Sequence, residues 1–110
     1  MAEEFDPETL ASLREQMGEE FPALLDIFRG ESAKHLEEAR GGIASGQWER
    51  ARRAAHSMKS SAALFGLPAL SATMRALEHL PDAAPPAEWA RLLAEAEAQR
   101  GRGLAWIEGH

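Results

Sequence analysis

The sequence predicts an all-α fold, an antiparallel four-helix bundle with an additional short N-terminal helix. Three observations predict it. Alanine occurs 22 times and valine and tyrosine never, with three isoleucines and two threonines the only β-branched residues. A sheet draws on β-branched and aromatic side chains, whereas alanine favours helix. Glycine and proline divide the chain into five segments, and within each segment apolar residues recur every three or four positions, the spacing of one helical face. Long amphipathic helices joined by short loops pack as antiparallel neighbours, so segments two to five form the bundle and the first caps one end.

The first segment starts at Asp6, a good N-cap, with Pro7 at the first helical position. Leu10, Leu13 and Met17 follow, Gly18 ends the segment, and Phe5 is placed to staple its entry. The second runs from about Glu20 to Arg40, with Phe21, Leu24, Leu25, Phe28, Ser32, Leu36 and Ala39 on one stripe. Pro22 lies harmlessly in its first turn, Gly30 weakens its interior, and Gly41-Gly42 is expected to stop it. The third runs from about Gln47 to Leu64 or Phe65, with Gly66 as its C-cap. The fourth starts at Pro68 and carries Leu70, Met74, Leu77 and Leu80. No helix crosses Pro81-Asp82-Ala83-Ala84-Pro85-Pro86. The fifth starts near Pro86 and carries Trp89, Leu92, Leu93 and Ala96; with Gly101, Gly103 and Gly109 in it, the tail 101–110 is expected to fray.

The 110 residues make a single domain, 1–110, with one modest core. Twelve basic against 18 acidic residues give a formal net charge of -6, which argues against nucleic acid as a partner. The absence of cysteine excludes disulfides, a thiolate nucleophile and zinc-thiolate sites. No run approaches the roughly 18 apolar residues of a membrane span, and the acidic start Met1-Ala2-Glu3-Glu4 is unlike a signal peptide. These features predict a soluble, cytoplasmic protein. The starting Met and compact ends suit a free-standing chain, and a core satisfied by its own helices suits a monomer.

The third segment carries the functional information. Trp48, Ala51, Ala55, Met58, Ala62 and Phe65 form a continuous apolar stripe flanked by Ala54. His56 lies roughly 130° from the centre of that stripe at about 100° per residue, and so points into solvent. Arg52 and Arg53 lie one turn before it, Lys59 and Ser60 one turn after, and Ala63 two turns after. From Arg50 to Lys59 four residues are basic and none acidic. The expectation is an exposed imidazole ringed by three cations, with Arg52 and Lys59 as surface positions whose loss leaves the bundle folded. A neutral imidazole is a good nucleophile, adjacent cations disfavour its protonation, and the same cations attract a phosphoryl group. These properties suit a covalent phosphoryl carrier.

The stretch Ala55-His56-Ser57-Met58-Lys59-Ser60-Ser61-Ala62-Ala63-Leu64-Phe65-Gly66, followed by Leu70 and Leu77-Glu78, resembles the histidine phosphotransfer (HPt) domain. That family carries Ala-His-x-apolar-Lys-Gly-Ser, a later Gly, then Leu and Leu-Glu in the next helix. Phe5-Asp6-Pro7 with Leu10 and Leu13 looks like its opening helix, and Phe28 with Leu36 like its second. The resemblance implies that His56 accepts a phosphoryl group from the phosphoaspartate of a receiver domain and passes it to another receiver. It implies Lys59 as the charge partner of that group, Ser60 and Ala63 as a small-residue floor, and Arg52 and Arg53 as contacts for the acidic rim of a receiver. Ser60 stands where the family commonly has glycine; it is small enough to preserve access, and its hydroxyl could hydrogen-bond the imidazole or the phosphoryl oxygens. The implied partners are receiver domains of response regulators or hybrid kinases. The Mg²⁺ belongs to the receiver, so no cofactor and no metal are expected here. With no Gly-rich phosphate loop the chain is expected to be a carrier, not an enzyme with its own kinase activity.

The other histidines fit structural roles: His35 as a partly buried packing residue, His79 at a helix C-terminus, His110 as a disordered terminus. Trp48, Trp89 and Trp106 read as core or end-cap residues. A di-metal bundle would need Glu-x-x-His pairs, which none of the histidines has. A sensor-kinase dimerisation helix would have an acidic residue after its histidine and a nearby proline, whereas Ser57 follows His56 and the next proline is Pro68. The serious alternative is a helical protein-interaction module with no phosphotransfer.

Overall fold

Asp6 caps the first helix. In the computed structural model, which describes residues 3–110, its carboxylate accepts the Thr9 backbone N–H at 3.3 Å and the Thr9 hydroxyl at 2.7 Å. Those two bonds, the hydroxyl's above all, hold the Asp6 carboxyl below its ordinary pKa. Helix α1 spans Pro7–Met17 and ends at Gly18, which leads into a single 3-10 turn, Gly18–Glu20. Four longer elements follow: α2 (Phe21–Ala44), α3 (Trp48–Leu64), α4 (Pro68–Glu78) and α5 (Pro86–Glu108).

Helix α3 packs between α2 and α4, and α5 packs on α4 and closes the ring against α2. Contacts along the helices fix the directions. Arg40 pairs with Glu97 and Arg29 with Glu108, so α2 and α5 are antiparallel. Arg50 pairs with Glu38 across α2 and α3, and Arg52 reaches Leu80 and Asp82 beyond α4. This is the expected four-helix bundle, with α1 packed on α2 and α3 at one end. At that end Phe28 stacks on Phe65 with ring centroids 4.5 Å apart, and Phe21 lies 6.0 Å from the same ring. At the other end Trp48 stacks on buried Trp89 at 4.6 Å. No helix among the described residues is long and apolar enough to cross a membrane.

The predicted stripes form most of the core. Ala51, Ala54, Ala55, Met58 and Ala62 of α3 and its C-cap Phe65 are buried, as are Phe21, Phe28, Ser32, Leu36 and Ala39 of α2, whereas Trp48, Leu24 and Leu25 are half-buried against them. Ser32 is satisfied there because its hydroxyl donates to the Arg29 carbonyl and accepts Arg100 Nε at 2.7 Å.

Two boundaries differ from the sequence expectation, both through glycine. Gly41-Gly42 does not stop α2, which continues to Ala44. A Cβ on Gly42 would stand 2.9 Å from the Gln47 carbonyl oxygen and 3.0 Å from the Ala51 nitrogen, so glycine here lets the first turn of α3 approach. The tail 101–110, expected to fray, is helical to Glu108. A Cβ on Gly103 would meet Leu67 at 2.8 Å, and Ile107 is fully buried. Arg14 donates to the Ile107 carbonyl at 2.7 Å, and Trp106 stacks on Phe5 at 4.7 Å. The ring of His110, expected to be disordered, packs against Trp106 with centroids 4.8 Å apart.

Gly66 sets the α3–α4 turn. Its φ is +78°, and a Cβ there would lie 2.6 Å from the Asp6 carbonyl oxygen. Its own carbonyl accepts the Asp6 N–H at 2.9 Å, tying the start of α1 to this turn. Gly66→Ala is therefore expected to cost about 1–3 kcal/mol from the backbone conformation alone, read as a lower urea midpoint with unchanged helical signal. A variant as stable as the parent would mean the turn relaxes freely.

Candidate functional site

With its apolar stripe turned inward, α3 presents Arg53, His56, Ser57, Ser60 and Ala63 to solvent. The His56 side chain is 68% exposed. Helix α4 supplies its neighbour, because α3 and α4 run antiparallel around the short Phe65–Leu67 turn and positions about equally far from that turn face each other. Glu78 stands opposite and bridges two residues of α3. Its Oε1 lies 2.5 Å from His56 Nδ1 and its Oε2 accepts from Lys59 Nζ at 2.7 Å. The Lys59 bond first, then the His56 bond, lowers the Glu78 carboxyl to a pKa of about 2. It is thus ionised at neutral pH and can only accept, so Nδ1 carries the hydrogen of that bond, and in the neutral imidazole the lone pair is then on Nε2. The hydroxyl of Ser71 donates to the Lys59 carbonyl at 2.9 Å and binds the two helices just beyond the site.

The expected ring of three cations is corrected. The closest charged partner of the imidazole is a carboxylate, and Lys59 is neutralised by that same carboxylate. Arg52 is engaged elsewhere. Its Nε donates to the Leu80 carbonyl at 2.9 Å, its other nitrogens pair with Glu49 and Asp82, and its guanidinium lies 5.3 Å from the Trp89 ring centroid. With a side chain 18% exposed it fastens the loop after α4 and is not a free surface cation. Arg53 is exposed, and Ser60 and Ala63 lie one and two turns beyond His56 on the same face. Among the described residues no three His, Asp or Glu side chains gather as a metal site.

Glu78 has a measurable consequence for stability. Its carboxyl is lowered in the folded state, so its contribution is fully present above the ordinary value of 4.5 and is lost as pH falls through that window towards about 2. Glu78→Gln should lower the melting temperature at pH 7, and the gap from the parent should close as the pH falls through that window. A gap independent of pH would place the effect in packing.

Sequence reasoning reached Glu78 only as part of a motif and passed over Arg75, which lines a depression beside Lys59 and Ser60. The antiparallel register around Gly66 is the signal that could have found both.

The Hpt domain family matches residues 23–102, a span that includes His56, Lys59, Ser60 and Glu78. The chain belongs to the Hpt domain family, and its function is histidine phosphotransfer in a phosphorelay. Among solved structures it is similar to histidine-containing phosphotransfer protein B (HptB) from Pseudomonas aeruginosa PAO1, with 26% identity, a TM-score of 0.85, and coverage of 99% of this chain and 95% of that one. No curated protein matches it in sequence.

Proposed function

We propose that Nε2 of His56 is the phosphoacceptor. It takes the phosphoryl group from the aspartyl phosphate of one receiver domain and gives it to the aspartate of another. The observation that carries this reading is an exposed imidazole whose Nδ1 is engaged by an ionised carboxylate, leaving Nε2 as a lone-pair nucleophile open to a docked partner.

The step balances without a base. The Nε2 lone pair forms the N–P bond as the P–O bond to the receiver aspartate breaks, and the aspartate leaves as a carboxylate. The imidazole gains positive charge while Nδ1 keeps its hydrogen, and Glu78 faces that charge directly. Return transfer reverses each event. Lys59, held by Glu78, stands one turn away as a cation for the phosphoryl oxygens, and Ser60 and Ala63 leave space above the ring. Arg53 is offered to the acidic rim of the receiver, while Arg52 maintains the loop behind it. The Mg²⁺ of the reaction is the receiver's, so the chain itself needs no cofactor. It is a cytoplasmic, monomeric carrier without kinase activity of its own.

Incubation with a phosphorylated receiver tests this. The expected product is an acid-labile, base-stable label that maps to the peptide containing His56. Label at any other residue, or none with any receiver encoded by the same genome, would leave a helical interaction module instead.

A further inference from the structure

Two shallow depressions of about 400 Å³ each flank the site along the α3–α4 face. The one that His56 itself lines contains the carboxylates of Glu49 and Glu78 beside Arg52 and Arg53. The other, on the C-terminal side of His56, contains Lys59, Ser60, Ser71 and Arg75 and no carboxylate. A phosphoryl group carries negative charge on its oxygens, which carboxylates repel and guanidinium and hydroxyl groups attract.

Arg75 shares one stripe of α4 with Ser71 and Glu78, at spacings of four and three. Both of those residues bond to Lys59, so the stripe faces α3 where the depression lies. Among the described residues Arg52 and Lys59 are already in ion pairs, whereas the exposed Arg75 guanidinium is in none. The serines of α3 divide in the same way. Ser57 and Ser61 donate their hydroxyls to the carbonyls of Arg53 and Met58. The hydroxyl of Ser60, exposed one turn beyond His56, is bonded to no described residue.

We propose that the phosphoryl group on His56 is held over the carboxylate-free depression, with the Arg75 guanidinium and the Ser60 hydroxyl binding its oxygens. This rests on His56 as the phosphoacceptor and adds the binding site of the transferred group. Arg75 then replaces Arg52 as the second cation of the site, and Ser60 provides a donor that glycine lacks.

The test phosphorylates the chain with phosphoramidate, a small donor that needs no docking, and follows the phosphohistidine by phosphorus NMR as pH is varied. A cation held against the oxygens lowers their proton affinity. Arg75→Gln is expected to raise that affinity about two- to fivefold, Arg75→Lys to restore most of it, and Ser60→Ala to give a smaller rise in the same direction. Arg40→Gln, which removes a cation paired with Glu97 on the α2–α5 side, is expected to change nothing. Titrations of Arg75→Gln and Ser60→Ala that superimpose on the parent overturn the inference and leave the phosphoacceptor intact. An equal shift in Arg40→Gln overturns it too, by showing a diffuse field. A parent chain that gains no phosphohistidine at position 56, from phosphoramidate or from a phosphorylated receiver, refutes the proposed function and this inference together.

Discussion

His56→Gln is expected to reduce phosphoryl transfer from a receiver to background while leaving the bundle folded. The amide nitrogen of glutamine has no lone pair available for attack, so the N–P bond cannot form, and neighbouring cations do not substitute for a nucleophile. The fold should tolerate the change. The imidazole is 68% exposed and its one hydrogen-bond partner is Glu78, to which the glutamine amide can donate instead. Stability is expected within about 0.5 kcal/mol of the parent, as for surface substitutions generally. The pair of measurements is label per chain and the urea midpoint. Undiminished label would move the acceptor elsewhere, and a large loss of stability would mean that the ring contributes to the core.

The inward and outward faces of α3 were legible in the sequence because a helical period of 3.6 leaves little freedom once six apolar residues align. Met58 and Ala62 had to face the bundle, and His56 had to oppose them. Two kinds of feature were not legible. Gly41-Gly42 and Gly103 read as interruptions, since glycine is a poor helix former taken alone. Their purpose lies in Ala51 on α3 and Leu67 in the α3–α4 turn, which local sequence does not place. The charge pattern around His56 is not legible for the same reason. Arg52, Arg53 and Lys59 are neighbours on the wheel, but the ion pairs that decide which of them remains free come from α4 and the loop after it. Glu78 and Arg75 reach the site through the antiparallel register about Gly66, a tertiary fact. The nucleophile was therefore visible locally, whereas its electrostatic setting depends on which helix packs beside it.

Met58→Asp is expected to cost about 4 kcal/mol or more and to unfold a large fraction of the chain. Met58 is 0% exposed, at the middle of the α3 stripe. Truncating a buried methionine costs about 2–5 kcal/mol through lost transfer energy and the cavity left behind. The carboxylate adds a further penalty, because it has no cation to pair with inside and must either stay ionised in a dry core or take up a proton. Against a typical total of about 5–15 kcal/mol for a domain, little margin remains. The sign of the pH dependence separates these contributions. Burial raises the pKa of the new carboxyl in the folded state, so the penalty relative to the parent should shrink as pH falls from 7 towards the ordinary carboxylate range. The Glu78 contribution is common to both chains and cancels in the difference. Ser57→Asp, one residue earlier and exposed, is expected to stay within about 0.5 kcal/mol at either pH. Should the two substitutions cost the same, α3 would be rotated from its described orientation and His56 would lie inside the bundle, out of reach of a receiver.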